Sequence, residues 1–154
     1  MEIKQINSTE LHLVADLFDK YRVFYKQPPD IILARNFIRE RLINNQSIIF
    51  VALEQLDDTQ LPVGFTQLYP MYSSVRAIKN WILNDLYVDL AHRRKGIAEK
   101  LILTAMQFAK EDNAKFVQLE TAIDNNSAQS LYESMGFIKQ PAGNDFFVYR
   151  IDFM

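Results

Sequence analysis

Hydrophobic positions recur along this chain with two different periods, and the switches between them mark out the elements. "EIKQI", near the start, alternates apolar and polar residues and predicts a short strand. From Asn7 the spacing changes. Leu11, Val14, Leu17, Phe18, Tyr21 and Phe24 return every three or four positions behind the capping residues "NSTE", which predicts one helix running through "YRVFYK". "QPPD" ends it, and Asp30 can cap a second helix that carries Ile31, Ala34, Phe37, Ile38, Arg41 and Leu42 in register. "SIIFVAL" is an apolar run of strand length, "QLDDTQ" a turn, and "PVGFTQLYP" its antiparallel partner. "MYSSVRAIKN" reads as a loop of mixed polarity leading into "WILNDLYVDL", a strand by propensity.

The helical period returns at Ile97, Leu101, Ile102, Ala105, Met106, Phe108 and Ala109. "KFVQLETA" then predicts a strand, and "NNSAQSLYESM" a short helix with Gly136 as its stop. "GFIKQ" and "FFVYRIDF" read as two final strands around the turn "PAGND". No repeat, low-complexity tract or linker-like shift interrupts this order, so residues 1–154 read as a single domain. The order β-α-α-β-β-β-α-β-α-β-β predicts an α+β fold, α/β-like in its second half. Its mixed sheet holds about seven strands, because hairpin-linked strands precede a strand-helix-strand crossover, and about four helices flank it.

Composition narrows the chemistry. The chain has 154 residues, 49% of them hydrophobic and 23% charged, which suits a folded domain with a real core. Its net charge of −2 lends no long-range attraction to nucleic acid, and no nucleic-acid partner is expected. With no cysteine, disulfides, thiolate metal sites and cysteine nucleophiles are excluded together. No apolar run approaches the roughly 20 residues needed to span a bilayer. A cytoplasmic protein with no membrane partner is therefore expected. His12 and His92 lie far apart without carboxylate spacing, so no metal site is expected either.

The stretch "AHRRKGIAEK" puts three cations against one of only four glycines, between the strand "LNDLYV" and an amphipathic helix. The first turn of a helix has unpaired N–H groups and a partial positive charge, so it attracts anions. Gly96 and Ala98 are small enough to let a phosphate reach the backbone, and Arg93, Arg94 and Lys95 surround it with charge. A solvated basic loop ahead of a core helix is the plainer alternative. Neither the G-x-G-x-x-G dinucleotide fingerprint nor the G-x-x-x-x-G-K-[ST] loop is present.

The pattern that is present, R-x-x-G-x-A from Arg93 to Ala98, resembles the Q/R-x-x-G-x-G/A loop of the GNAT acetyltransferase superfamily. Downstream, "TAIDNNSAQSLYESMGF" is similar to that family's N-x-x-A-x-x-L-Y-x-x-x-G-F, through Asn125, Ala128, Leu131, Tyr132, Gly136 and Phe137. Two patterns in the right order are far more specific than either alone. "LYV", ahead of the loop, also resembles the usual end of the family's fourth strand. The likeness is strong over Trp81–Phe137 and is limited to element order before it.

What the resemblance implies is a GNAT fold with its sheet splayed between the fourth and fifth strands, and acetyl-CoA as acetyl donor. Backbone groups at Leu86, Tyr87 and Val88 would pair with the pantetheine arm. The amides of Lys95, Gly96, Ile97 and Ala98, with Arg93 and Arg94, would hold the pyrophosphate. Asn125 would bond the pantetheine and Ala128 would line the cofactor wall. Tyr132 would lie at the coenzyme sulfur and donate a proton or hydrogen bond to the departing thiolate. By helical spacing alone Tyr132 reads as a packing residue, on a stripe with Ala128, Leu131 and Met135.

The reaction implied is acetyl transfer to a primary amine by direct attack in a ternary complex. The acceptor would be a small molecule or a protein lysine or N-terminal amine, and a homodimer is compatible with the family. A lysine amine, with a reference pKa of about 10.4, is mostly protonated at neutral pH, so a base or a water relay is needed. Many relatives carry a glutamate on the fourth strand where this chain has Asn84, which is no base. Asp85 beside it is the candidate, but strand alternation turns it to the opposite face unless a bulge re-aims it. A structural Asp85 is the competing reading, and Glu120 is a further candidate base. Tyr21, Tyr25, Tyr69, Tyr72 and Trp81 are candidates to roof an acceptor cleft for a cationic amine. The alternative function is a non-catalytic acyl-CoA-binding or sensor module of the same fold.

Overall fold

The computed structural model describes residues 1–140 with Tyr149 and Ile151. The chain divides into two compact units, Met1–Glu120 and Thr121–Met154. In the first, strands β1 (Glu2–Gln5), β2 (Ile48–Leu56), β3 (Thr59–Ser73), β4 (Ile78–Val88) and β5 (Val117–Gln118) form one sheet in sequence order. The first four pair antiparallel and β5 runs parallel to β4. Helices α1 (Ala15–Phe24) and α2 (Ile31–Ile43) lie between β1 and β2 in the chain, and α3 (Ile97–Glu111) bridges β4 and β5.

Strand alternation builds two cores. Ile49, Val51, Leu53 and Phe65 point to one face and pack with Leu11, Val14, Leu17 and Phe18 from the first helical segment and Ala34 and Ile38 from α2. The other face carries Phe50 and Trp81, whose rings both meet Phe108 of α3, at 5.8 and 5.2 Å between centroids. Leu101, Ile102, Ala105 and Ala109 of α3 are buried with them.

Several boundaries differ from the sequence reading. The first helix is broken: a 3₁₀ segment, Ser8–Leu13, precedes α1, with Glu10 held at φ −110° and ψ 19°. Asn7 and Glu10 form a reciprocal capping box, and Lys4 pairs with Glu10, so this local bonding competes with a continuous helix. The expected loop "MYSSVRAIKN" is mostly strand, because β3 runs to Ser73 and β4 begins at Ile78. Pro70 is tolerated there because β2 pairs with β3 only as far as Leu68, so its missing N–H faces no neighbouring strand.

"KFVQLETA" contributes just two strand residues. Of the two final strands, "GFIKQ" is turn and coil, and "FFVYRIDF" lies almost entirely outside the described residues. Five strands, not seven, are present among the described residues.

In the second unit, α4 (Asn126–Ser134) is capped at both ends by residues of the sequence motif. Asn125 Oδ1 accepts from the Ala128 N–H at 3.2 Å. At the far end Gly136 takes φ 94°, its N–H donates to the Glu133 carbonyl, and the Phe137 N–H donates to the Tyr132 carbonyl at 3.0 Å. This is the paired hydrogen-bond stop that glycine favours. The Phe137 ring returns onto the Tyr132 ring, 6.0 Å between centroids. The N-x-x-A and Y-x-x-x-G-F spacings are thus the two caps of one helix.

Candidate active site

The site in the first unit is built on an irregularity of β4. Gln67 of β3 faces Asp85 while Leu68 faces Leu83, so Asn84 is an extra residue in the ladder. This bulge reverses the direction of every odd-numbered side chain across it. Trp81 and Leu83 go to the α3 face, whereas Asp85 and Tyr87 join Phe65 on the face covered by α1 and α2. The condition under which Asp85 escapes simple alternation is therefore met.

Asp85 is 2% exposed, and its carboxylate accepts from three donors. Gln67 Nε2 donates to Oδ2 at 2.5 Å and Asn84 Nδ2 donates to Oδ1 at 2.6 Å. The Tyr21 hydroxyl of α1 donates to the same carboxylate. Thr66 Oγ1 holds the Asp85 carbonyl at 2.8 Å and so pins the bulge. Burial pushes the Asp85 carboxyl above the ordinary carboxylate range, and the three donors oppose that shift. Tyr21 is raised by its own burial and by the Asp85 charge, and burial pushes Tyr69 up to about 12.

A buried carboxylate of raised proton affinity, set among tyrosines, is a better proton acceptor than an exposed one. Of the aromatic candidates, Tyr21 and Tyr69 lie on the Asp85 side of the sheet, Tyr25 packs on Tyr21 at 5.0 Å, and Tyr72 is exposed. Trp81 is on the opposite face, with its indole N–H on Asp112 Oδ2. Glu120 is exposed and lies past the end of β5.

Beyond Ile82, β4 loses its neighbour. The parallel ladder ends at Trp81↔Val117 and Ile82↔Gln118, so no strand among the described residues covers the β5-side edge of Leu83–Val88. Leu86, Tyr87 and Val88 lie on this open edge. An open groove of about 490 Å³ adjoins Tyr87, walled mainly by Val23, Phe24, Pro29 and Leu90.

The loop after β4 holds the predicted anion seat. Gly96 takes φ +77° at the N-terminus of α3, and the first helical bond is Lys100 N–H to the Gly96 carbonyl. The N–H groups of Ile97, Ala98 and Glu99 therefore have no acceptor within the helix. A Cβ on Gly96 would meet nothing within 4 Å, so the backbone there is open to an approaching group. Ile97 is buried beneath the loop.

The three cations are not equivalent. Arg93 Nε donates to the Val88 carbonyl at 2.9 Å, and its guanidinium sits 5.6 Å above the rings of Phe24 and Tyr87. Lys95 leans toward Glu54, 3.9 Å away. Arg94, at φ 65°, makes no ion pair among the described residues. Lys20 of α1 binds Asp89 at 3.0 Å and ties the loop to the helical face. These features fit a pyrophosphate carried by an extended arm along the β4 edge.

Asn125, Ala128 and Tyr132 belong to the second unit and are ordered by the caps of α4 described above. Asn125 uses its Oδ1 in the cap.

The Acetyltransferase (GNAT) family model matches residues 11–137, spanning both units. The chain belongs to the GNAT acetyltransferase family. Among its relatives is the uncharacterized N-acetyltransferase YhfO of Bacillus subtilis, 39% identical over 137 residues, 89% of each chain. Human N-acetyltransferase 8 is 40% identical over 85 residues, 55% of this chain and 37% of that protein. The crystal structure of a probable acetyltransferase superposes with a TM-score of 0.88 at 38% identity, covering 99% of both chains. The chain is thus a GNAT enzyme of the acetyl-CoA-dependent N-acetyltransferase kind, with an α+β fold around a mixed sheet. Among the described residues no helix is long and apolar enough to cross a membrane, and no group of three or more His, Asp or Glu could hold a metal ion.

Of the three partners of Asp85, Asn84 and Tyr21 were singled out in the sequence and Gln67 was missed. One signal was available: in "GFTQLY" a lone amide shares strand parity with Phe65 and Tyr69, where an apolar residue is the default.

Proposed function

We propose that this enzyme transfers an acetyl group from acetyl-CoA to a primary amine by direct attack in a ternary complex, with Asp85 as the base. The observation that carries the reading is the bulge at Asn84, which supplies a buried carboxylate beside a position where the family often has glutamate. Acetyl-CoA, when bound, supplies the acetyl group as an activated thioester. In the first unit, the open edge at Leu86, Tyr87 and Val88 would hold its pantetheine arm. In the second, the family motif assigns Asn125 to the pantetheine and Ala128 to the cofactor wall. The amides of Lys95, Gly96, Ile97 and Ala98, with Arg94 and the loop-anchored Arg93, would hold its pyrophosphate.

Asp85 accepts the proton shed by the acceptor nitrogen, directly or through one water, as the N–C bond forms. Tyr132 supplies a proton or hydrogen bond at the sulfur as the C–S bond breaks. Tyr21, Tyr25 and Tyr69 present aromatic faces to a cationic acceptor before it is deprotonated.

The test is coenzyme A release from acetyl-CoA over a panel of polyamines, amino acids and peptides bearing a lysine or a free N-terminus. Turnover on one acceptor class, lost in Asp85→Asn with acetyl-CoA affinity kept, is the expected result. Tight acetyl-CoA binding without turnover on any amine would support the sensor module instead.

A further inference from the structure

Gln67 occupies a place where the fold asks for an aliphatic side chain. It is fully buried on a central strand, near Phe65 and Leu68, which are also fully buried. Its Nε2 is spent on Asp85 Oδ2, and its Oε1 is buried with no hydrogen-bond partner among the described residues. A buried amide with an unpaired carbonyl costs stability that a methionine or leucine would not. Something other than packing retains it.

We propose that Gln67 is a positioning residue for the reaction, a cross-strand amide that aims the Asp85 carboxylate. As a donor to the charged form it opposes the burial that raises the proton affinity of Asp85. The register makes the pairing obligatory: because the ladder skips Asn84, Gln67 stands directly opposite Asp85 on the same face. Of the three donors to the carboxylate, Asn84 is an exposed side chain and Tyr21 comes from a separate helix. Gln67 alone combines complete burial with a direct rung to the base. An ionised carboxylate is acceptor-only, so it requires the amide nitrogen to face it and forces Oε1 away. The unpaired oxygen is thus the consequence of holding Asp85 in its ionised, proton-accepting form.

The other groups facing Asp85 do not confuse the assignment. From α1 comes Tyr21 and from β3 Tyr69; Tyr25, just past α1, acts on Tyr21, and Arg41 of α2 acts on Tyr69. Tyr21 and Tyr69 are raised well above neutrality and stay neutral where a carboxyl titrates.

This inference rests on Asp85 being the base, and the experiment separates the two. Gln67→Met keeps length and volume but removes the donor; Gln67→Glu puts a second carboxylate on the rung. For each folded variant, the Asp85 carboxyl is titrated by carbon-13 NMR and the acidic limb of kcat/KM is recorded for an active amine. Both midpoints should move to higher pH in the order wild type, Gln67→Met, Gln67→Glu. Gln67→Met should be several-fold less active below the limb and near wild type on the plateau, a pattern that loss of packing does not produce. An Asp85 titration unchanged in either variant overturns the role of Gln67. A titration that moves while the rate limb stays put upholds the Gln67–Asp85 coupling and removes Asp85 as the base.

Discussion

Gly96→Asp probes the anion seat, and the structure separates its effect on folding from its effect on binding. Gly96 sits at φ +77° with open space around the missing Cβ, so an added side chain meets no steric block. A residue with a Cβ in that region costs about 1–2 kcal/mol, and less for aspartate, which tolerates it better than most. A carboxylate at the N-terminus of α3 returns about 0.3–1 kcal/mol through the helix dipole. The net loss of stability should stay near 1 kcal/mol, a fall of about 2–4 °C in Tm. Binding is a different matter. A carboxylate about 5 Å from a phosphate charge, at an effective dielectric constant of about 20, is opposed by about 3 kcal/mol. That weakens acetyl-CoA by roughly a hundredfold.

Gly96→Asn makes the same backbone demand without the charge, so it isolates the electrostatic part. Calorimetric titration with acetyl-CoA at 0.1 M and 1 M salt should show the aspartate variant far weaker than the asparagine variant. The gap should narrow at high salt as the Debye length falls from about 10 to 3 Å. Equal losses in the two variants would remove the charge argument, and wild-type affinity in Gly96→Asp would remove the seat itself.

A Cβ added at Gly64 would lie 2.9 Å from the Tyr87 carbonyl oxygen and 3.4 Å from Ile97 Cγ2. Gly64→Ala should therefore cost about 1–3 kcal/mol and lower Tm by about 2–12 °C; an unchanged Tm would contradict the close approach of β3, β4 and α3. Burial raises the Asp85 carboxyl in the fold, so its contribution to stability is full below the ordinary carboxylate range and is lost as pH rises through the raised value. Wild type should lose more stability than Asp85→Asn as pH rises from the ordinary carboxylate range through the raised value; parallel profiles of Tm against pH would refute this. Tyr132→Phe keeps the ring against Phe137 and should leave acetyl-CoA affinity intact while lowering kcat by about a hundredfold, the low end for acid catalysis. Undiminished kcat would return Tyr132 to a packing role.

Much of this protein was legible in its sequence, because much of it is local. Asp30 caps α2 by accepting from the Leu33 N–H, Gly96 opens α3, and Asn125 and Gly136 bound α4. Each of these depends on residues within one turn of each other, so a linear pattern carries them. The same holds for the two family motifs, one an open helix N-terminus and the other a helix with both caps. Element order and fold class followed from periodicity for the same reason.

What only the tertiary structure decided is non-local pairing. A period-two reading sends Asp85 to the face opposite Asn84, and nothing within "WILNDLYV" reveals the bulge, which exists only in the register of β4 against β3. That one-residue slip moves Asp85 from the α3 side to the tyrosine-lined side and makes Gln67 its partner. It was equally invisible that Arg93 is drawn onto the Val88 carbonyl beside two rings and Lys95 toward Glu54, while Arg94 makes no ion pair among the described residues. Caps are set by neighbours along the chain. The proton affinity of a carboxylate is set by what folding brings around it and by how much water it loses.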